Sequence, residues 1–361
     1  AALFTLGLAK LGLTPVFQGS IGKDMYGEYI RGLFRELGVD DTLLLDSDTK
    51  KTGISISFTT QKDRCFLTYR GTNEGLSLKH MDLTQLPYAK HVHVTGYEGL
   101  TNHDEYLDML KKIHAMGDVT VSFDVGWDTT GVWYEGIFDL LPMIDVLFMN
   151  ETECMHYTRC ESIEEGARKL AEKAGMAVIK LGKKGALAVK DGEVYVAPTY
   201  KVKVMDTTGA GDSFNAGFVY GFISGLSMEE CIKRGNGCGS LSATMLGGNT
   251  GFPFKEQLFK FSVIIRAIPL GAFGVISYVF YSAIGWTGEM GFLPLLVPGL
   301  FGSIGTMFFL RLYFDGIPKS LIEAATLDGA GFFQCFFKIM FPWRNLHLSH
   351  SLSSALWAAI T

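Results

Sequence analysis

The chain has 361 residues, 48% of them hydrophobic, and a formal net charge of −5, which is length enough for two domains or for one large α/β domain with an appendage. Residues 255–361 hold seven Lys and Arg against five Asp and Glu, leaving −7 on the first 254; an acidic segment of that size lacks the clustered cations that nucleic-acid binding needs. The six cysteines (Cys65, Cys154, Cys160, Cys231, Cys238 and Cys335) form no Cys-x-x-Cys pair and no metal-ligand cluster, so reduced thiols in a cytoplasmic chain are expected and no disulfide framework is.

In chain order, the opening AALFTLGLAKLGL lacks the cationic start and cleavage site of a signal peptide. Its apolar spacing with Lys10 predicts an amphipathic helix, so residue 1 is read as lying inside a domain. GEYIRGLFRELG (27–38) and IEEGARKLAEKAG (163–175) have helical periodicity, and each stops at a glycine able to form a left-handed cap. ISISFTT and CFLTYRG, with QKDR between them, predict a two-stranded ribbon. HVHVTG, VTVSFDVG, VLFMNETE and AVIKLG read as buried parallel strands whose carboxyl ends line one crevice. The alternation predicts a three-layer α/β/α sandwich over residues 1–254, with the ribbon as a small β flap.

Beyond residue 254 the composition changes. Residues 261–283 contain one charge, Arg266, and residues 290–310 contain none; about 20 apolar helical residues cross a bilayer, so both stretches are candidate membrane spans. Lys255 and Lys260 precede the first span, and Arg311, Lys319, Lys338 and Arg344 follow the second. The positive-inside rule then puts both flanks, and the large N-terminal domain, in the cytoplasm.

The chemistry concentrates in DTTGAGDSFNAGF (206–218), which follows a strand-like YKVKVM and leads into a helix ending at Gly225. A glycine turn before a helix lets backbone N–H groups converge on an anion, aided by the helix dipole. An aspartate in the first helical turn, Asp212, then stands beside a bound phosphate, where it can accept a proton from an attacking hydroxyl. The competing reading of Asp212 is an ordinary helix cap. Asn150 with Glu153 has the same alternative, and Gly182 to Gly185 could simply turn a hairpin. No Gly-x-x-x-x-Gly-Lys-Ser/Thr occurs, which excludes a P-loop.

The longer pattern Asp-Thr-Thr-Gly-Ala-Gly-Asp-Ser-Phe-Asn-Ala-Gly closely resembles the C-terminal signature of the ribokinase, or PfkB, family of carbohydrate kinases. The resemblance runs over residues 1–254 and includes GSIGKDMYGEYIRGLFRELGVD, NETE and KLGKKGAL. It implies ATP-dependent phosphorylation of a sugar, with Gly209, Ala210 and Gly211 as the anion hole and Asp212 as the base. It further implies Asn150 and Glu153 in the Mg2+ and phosphate shell, and Gly182, Gly185 and Asn236 near the nucleotide. Gly22, Asp24 and Asp124 fall on the sugar side, and Asp206 and Thr208 at a K+ site. The family's opening strand and its Gly-Gly-x-x-x-Asn loop have no counterpart here, and FDVGWDTTGVW departs from the usual Asp-x-Asn-x-Arg strand end.

IPKSLIEAATLDGAGFFQCFFKIMFP (317–342) resembles a second family, the maltose-type permeases of sugar ABC transporters. That resemblance implies an ATPase-docking loop marked by Glu323, Ala324, Ala325 and Gly329, with an ABC ATPase as partner. The alternative to a sugar kinase is therefore a membrane subunit fragment of a sugar importer, or a gene chimera of the two.

Overall fold

The computed structural model describes residues 1–259 apart from 60–63, 75–76 and 129, and Ala1–Phe259 forms one unit. The candidate spans at 261–283 and 290–310, the loop at 317–342 and Cys335 lie outside the described residues.

The elements run α1 (Ala2–Lys10), β1 (Gly19–Gly22), α2 (Met25–Leu37), β2 (Leu44–Ser47), β3 (Ile54–Thr59), β4 (Arg64–Tyr69) and β5 (His91–Thr95). They continue with α3 (His103–His114), β6 (Thr120–Asp124), α4 (Ile137–Leu140), β7 (Val146–Asn150), α5 (Glu151–Thr158) and α6 (Ile163–Ala171). The last are β8 (Ala177–Lys180), β9 (Ala186–Lys190), β10 (Glu193–Ala197), α7 (Ala210–Ile223) and α8 (Met228–Ser242). One six-stranded sheet has the order β10-β9-β8-β7-β6-β5. Strands β5 to β8 are parallel, as their near-continuous apolar runs require, and β9 and β10 return antiparallel. A separate parallel pair, β1 with β2, and the antiparallel ribbon β3–β4 complete the strands among the described residues.

Both faces of the main sheet are covered. Along β7, Leu147 and Met149 pack with α3 to α6 on one face, while Val146 and Phe148 pack with α1, α7 and α8 on the other. Burying such a strand on both sides removes each side chain from water at about 1.5–3 kcal/mol apiece, which is why β7 tolerates no polar residue before Asn150.

Three sequence expectations need correction. Helix α1 is not amphipathic: Phe4 to Leu8 are all buried, because Leu6 packs with Phe34 of α2 while Leu8 packs under α7. Gly7 permits this close approach, since a Cβ there would lie 2.7 Å from Cβ of Ala216 in α7. Helix α6 ends at a right-handed Glu172, and Gly175 instead gives its N–H to the Ile144 carbonyl. Residues 200–205 form no strand; Met205 bonds the Ala243 carbonyl beyond α8, so the segment has no sheet neighbour. By contrast, Gly38 caps α2 in the left-handed conformation as expected, and the five cysteines among the described residues are free thiols.

Candidate active site

Strands β6, β7 and β8 end at Asp124, Asn150 and Lys180, at the carboxyl edge where open parallel sheets form their crevice. Asp124 stands opposite Phe148 in the register, and Lys180 opposite Asn150. Phe148 faces α7; residues two apart share a face, so Lys180, two beyond Val178, is on that face too. Its ammonium passes over the Phe148 ring, 6.0 Å from the centroid, and reaches Asp124 Oδ2 at 3.0 Å. Asn215, from α7, donates its Nδ2 hydrogen to the same oxygen. The Asn215 side chain is fully buried, and its Oδ1 has no hydrogen-bond partner among the described residues.

Above this trio lies the start of α7. Gly209 adopts φ +73°, and a Cβ on it would fall 2.0 Å from the Gly248 carbonyl oxygen, so the turn admits glycine alone. The Ala210 N–H is turned back onto the Thr207 carbonyl at 3.2 Å, while a Cβ placed on Gly211 would lie 3.8 Å from Lys180 Nζ. Asp212 follows in the first turn, half-buried. Burial, with Asp124 adding like charge, raises its carboxyl above the usual aspartate range. Burial alone would also raise Asp124, but Lys180 and the hydrogen bonds from Lys180 and Asn215 hold it below that range. Lys180 is held above the ordinary lysine value, because Asp124, Glu153 and Asp212 together outweigh the burial that would lower it. One ammonium thus serves three carboxylates beneath a glycine turn, and of the two aspartates the one at the helix start is raised while the other is lowered. That arrangement can hold an anion and take a proton from an alcohol.

The profile of the pfkB family carbohydrate kinases matches residues 4–255. The chain belongs to the pfkB family of carbohydrate kinases. This kinase is 30% identical over 273 residues to the 5-dehydro-2-deoxygluconokinase of Bacillus subtilis strain 168, covering 71% of this chain and 83% of that one. It is also 30% identical over 283 residues to the 2-dehydro-3-deoxygluconokinase of the same organism, covering 73% and 85%. Among solved structures, the fructokinase of Vibrio cholerae O395, in its fructose, ADP and calcium ion bound form, superposes with a TM-score of 0.63 at 25% identity, covering 72% of this chain and 89% of that one. The kinase is thus a phosphotransferase that phosphorylates a sugar with ATP on a ribokinase-like α/β fold. A second profile, the inner membrane component of binding-protein-dependent transport systems, matches residues 235–346. Among the described residues no helix is long and apolar enough to cross a membrane.

The kinase fold brings Asp124, Glu153 and Asp212 around Lys180, but it gives several other sequence candidates local partners. Asn150 and Glu153 form a reciprocal capping box on α5: Asn150 Oδ1 accepts from Glu153 N, and Glu153 Oε2 from Asn150 N, both at 2.8 Å. Burial raises the Glu153 carboxyl. Gly182 and Gly185 do turn the β8–β9 hairpin, with open space beside Gly182. Asn236 is buried, its Nδ2 donating to the carbonyls of Ala197 and Pro198. Asp206 Oδ1 accepts from the N–H and hydroxyl of Thr208, and its Oδ2 from Gly247 N. Asp24 caps α2 and binds Thr52, while the Gly22 N–H donates to the Thr52 hydroxyl.

Sequence reasoning missed Lys180 and Asn215 as well as a polar ladder on β5 and β6. In that ladder His91 Nε2 and His93 Nδ1 both meet the Ser122 hydroxyl at 2.7 Å, one row below Asp124. Burial lowers His91 to about 4 and His93 further, so both imidazoles are neutral. The available signal was the lone cation of AVIK, placed at an inward position of an otherwise apolar strand.

Proposed function

We propose that Asp212 is the general base that takes the hydroxyl proton of a sugar while the sugar oxygen attacks the terminal phosphorus of ATP, and ADP leaves. The observation that carries this is the half-buried Asp212, its carboxyl raised toward the working range of a base, in the first turn of a helix that opens on glycine. The N–H groups of Gly209 and Gly211 and the positive end of α7 supply the anion hole, and Ala210, whose N–H is turned onto the Thr207 carbonyl, would join them once that turn opens to a phosphate. Phosphoryl transfer asks for positioning and charge stabilisation more than for covalent chemistry, and fixed backbone donors provide both.

The side chains fit a magnesium ion that arrives with the nucleotide. Among the described residues no group of three His, Cys, Asp or Glu could cage a metal, and magnesium is commonly held by one or two carboxylates plus substrate phosphates. Glu153, with Asn150 beside it, is the protein's contribution to that shell. The Asp206 carbonyl and Thr208 are the proposed site of a K+ ion, and Gly182, Gly185 and Asn236 belong to the nucleotide side. Gly22 and Asp24 shape the sugar side through Thr52.

The two curated relatives point to a six-carbon keto-deoxy sugar acid as substrate. The kinase part is assigned to the cytoplasm. The transport profile over 235–346 favours a second role for the C-terminal stretch, a permease fragment at the membrane that would engage an ABC ATPase through Glu323, Ala324, Ala325 and Gly329.

The test is ADP release by the full chain with magnesium and ATP, across 5-dehydro-2-deoxygluconate, 2-dehydro-3-deoxygluconate and plain hexoses. Turnover with a keto-deoxy acid, lowered by about 10²–10⁴-fold in Asp212→Asn, is expected. ATP binding without turnover of any of these compounds would sink the substrate assignment.

A further inference from the structure

A buried lysine salt-bridged to an aspartate is usually a structural pair, and such pairs add little net stability because desolvation offsets their attraction. Lys180 departs from that pattern in three ways. It faces more than one carboxylate, with Glu153 and Asp212 acting on it besides Asp124. It lies under the glycine turn, within 3.8 Å of where a Gly211 side chain would begin. And the residue that fixes its partner, Asn215, keeps a fully buried carbonyl oxygen with no hydrogen-bond partner among the described residues. A pair that only braced the fold would have no reason to sit at the mouth of a helix dipole with an unmatched acceptor beside it.

Resting on the kinase reading above, we infer that Lys180 is the cationic floor of the phosphoryl site: its ammonium, aimed by Asp124 and Asn215, attracts the terminal phosphate of a nucleoside triphosphate. Three carboxylates around an anion hole would repel a polyphosphate. Lys180 offsets that repulsion from below, while the amides of α7 act from the helix side. Asp124 and Asn215 are positioning residues in this scheme: Asp124 holds the ammonium between β6 and β8, and Asn215 ties Asp124 to the second turn of α7.

The experiment is calorimetric titration of the full chain with magnesium ATP and with adenosine, together with thermal melts, for the wild type, K180R, K180M and the double variant K180M/D124N. The double variant removes both charges of the pair and so avoids leaving Asp124 uncompensated. Expected are at least tenfold weaker ATP binding for K180M and for K180M/D124N, adenosine affinity within twofold of wild type in both, and ATP affinity within threefold for K180R. The melting temperature should fall in K180M and recover in the double variant. Wild-type ATP affinity in K180M/D124N overturns the inference and leaves Lys180 a structural ion; so does an equal loss for adenosine and ATP. A wild-type chain that binds no ATP at all removes the kinase reading and this inference together, whereas ATP binding unchanged by K180M removes this inference alone.

Discussion

Asp24 and Asp212 each follow a glycine-containing turn at the start of a helix, and the fold treats them in opposite ways. Asp24 receives hydrogen bonds from the N–H groups of Tyr26, Gly27 and Thr52 and from the Thr52 hydroxyl, which hold its carboxyl down to about 2. Asp212 is raised by burial and by the charge of Asp124. A carboxylate surrounded by donors is a clasp that joins α2 to the chain at Thr52. One that is short of solvent and beside another acid has a reason to accept a proton. The contrast shows that position at a helix start does not define a role; the supply of donors does.

The largest effect should come from Asp212→Asn. Turnover is expected to fall about 10²–10⁴-fold, with ATP affinity within threefold of wild type. Because the folded carboxyl is raised, its ionised form carries a penalty at neutral pH that shrinks as pH falls through its folded value and is gone below the ordinary 3.8. The amide should therefore raise the melting temperature at pH 7, and a drop instead would break the contrast with Asp24.

Gly209→Ala comes next. It forces an L side chain into φ +73° against the Gly248 carbonyl, and should cost about 1–3 kcal/mol in denaturant unfolding as well as weakening ATP binding. Retained binding with full stability would show that the turn is free to open.

Asp24→Asn should act first on stability, with any kinetic loss appearing as a raised sugar KM and not as a lowered kcat. Its folded carboxyl is depressed from an ordinary 3.8 to about 2, so the contribution is complete above pH 4 and is lost as pH falls through 2. The variant should melt lower than wild type at pH 7, and the gap should close on going from pH 4 to pH 2. A gap constant across that window would assign the effect to packing. The smallest change is expected from ending the chain after residue 259, where the compact unit closes: ATP affinity should shift less than twofold, and a larger shift would tie the transport-like stretch to the nucleotide site.

Much of the fold could be read from local pattern. Four apolar runs announced β5 to β8, and the glycine turn before Asp212 announced α7, because each depends on residues adjacent in the chain. What escaped depends on partners far away. In residues 200–205 alternation alone suggested a strand, yet among the described residues no neighbouring strand receives it. Lys180 closes the apolar run of β8 without any local sign of a partner, and only the register across β6, β7 and β8 reveals that it meets Asp124, 56 positions earlier in the chain. Asn150 and Glu153 show the opposite limit: the i, i+3 spacing of a capping box is the same whether or not a ligand binds, so the motif alone could not separate the two roles.

The contact of Gly7 with Ala216 extends the functional region beyond the crevice. Ala216 lies one helical turn past Asp212, on the same stripe of α7, so a methyl group at residue 7 would shove that helix sideways and tilt the proposed proton acceptor away from its alcohol. Drift at an apolar N-terminal position that touches no substrate would then surface as slower turnover, and selection on chemistry would reach a residue with no chemistry of its own.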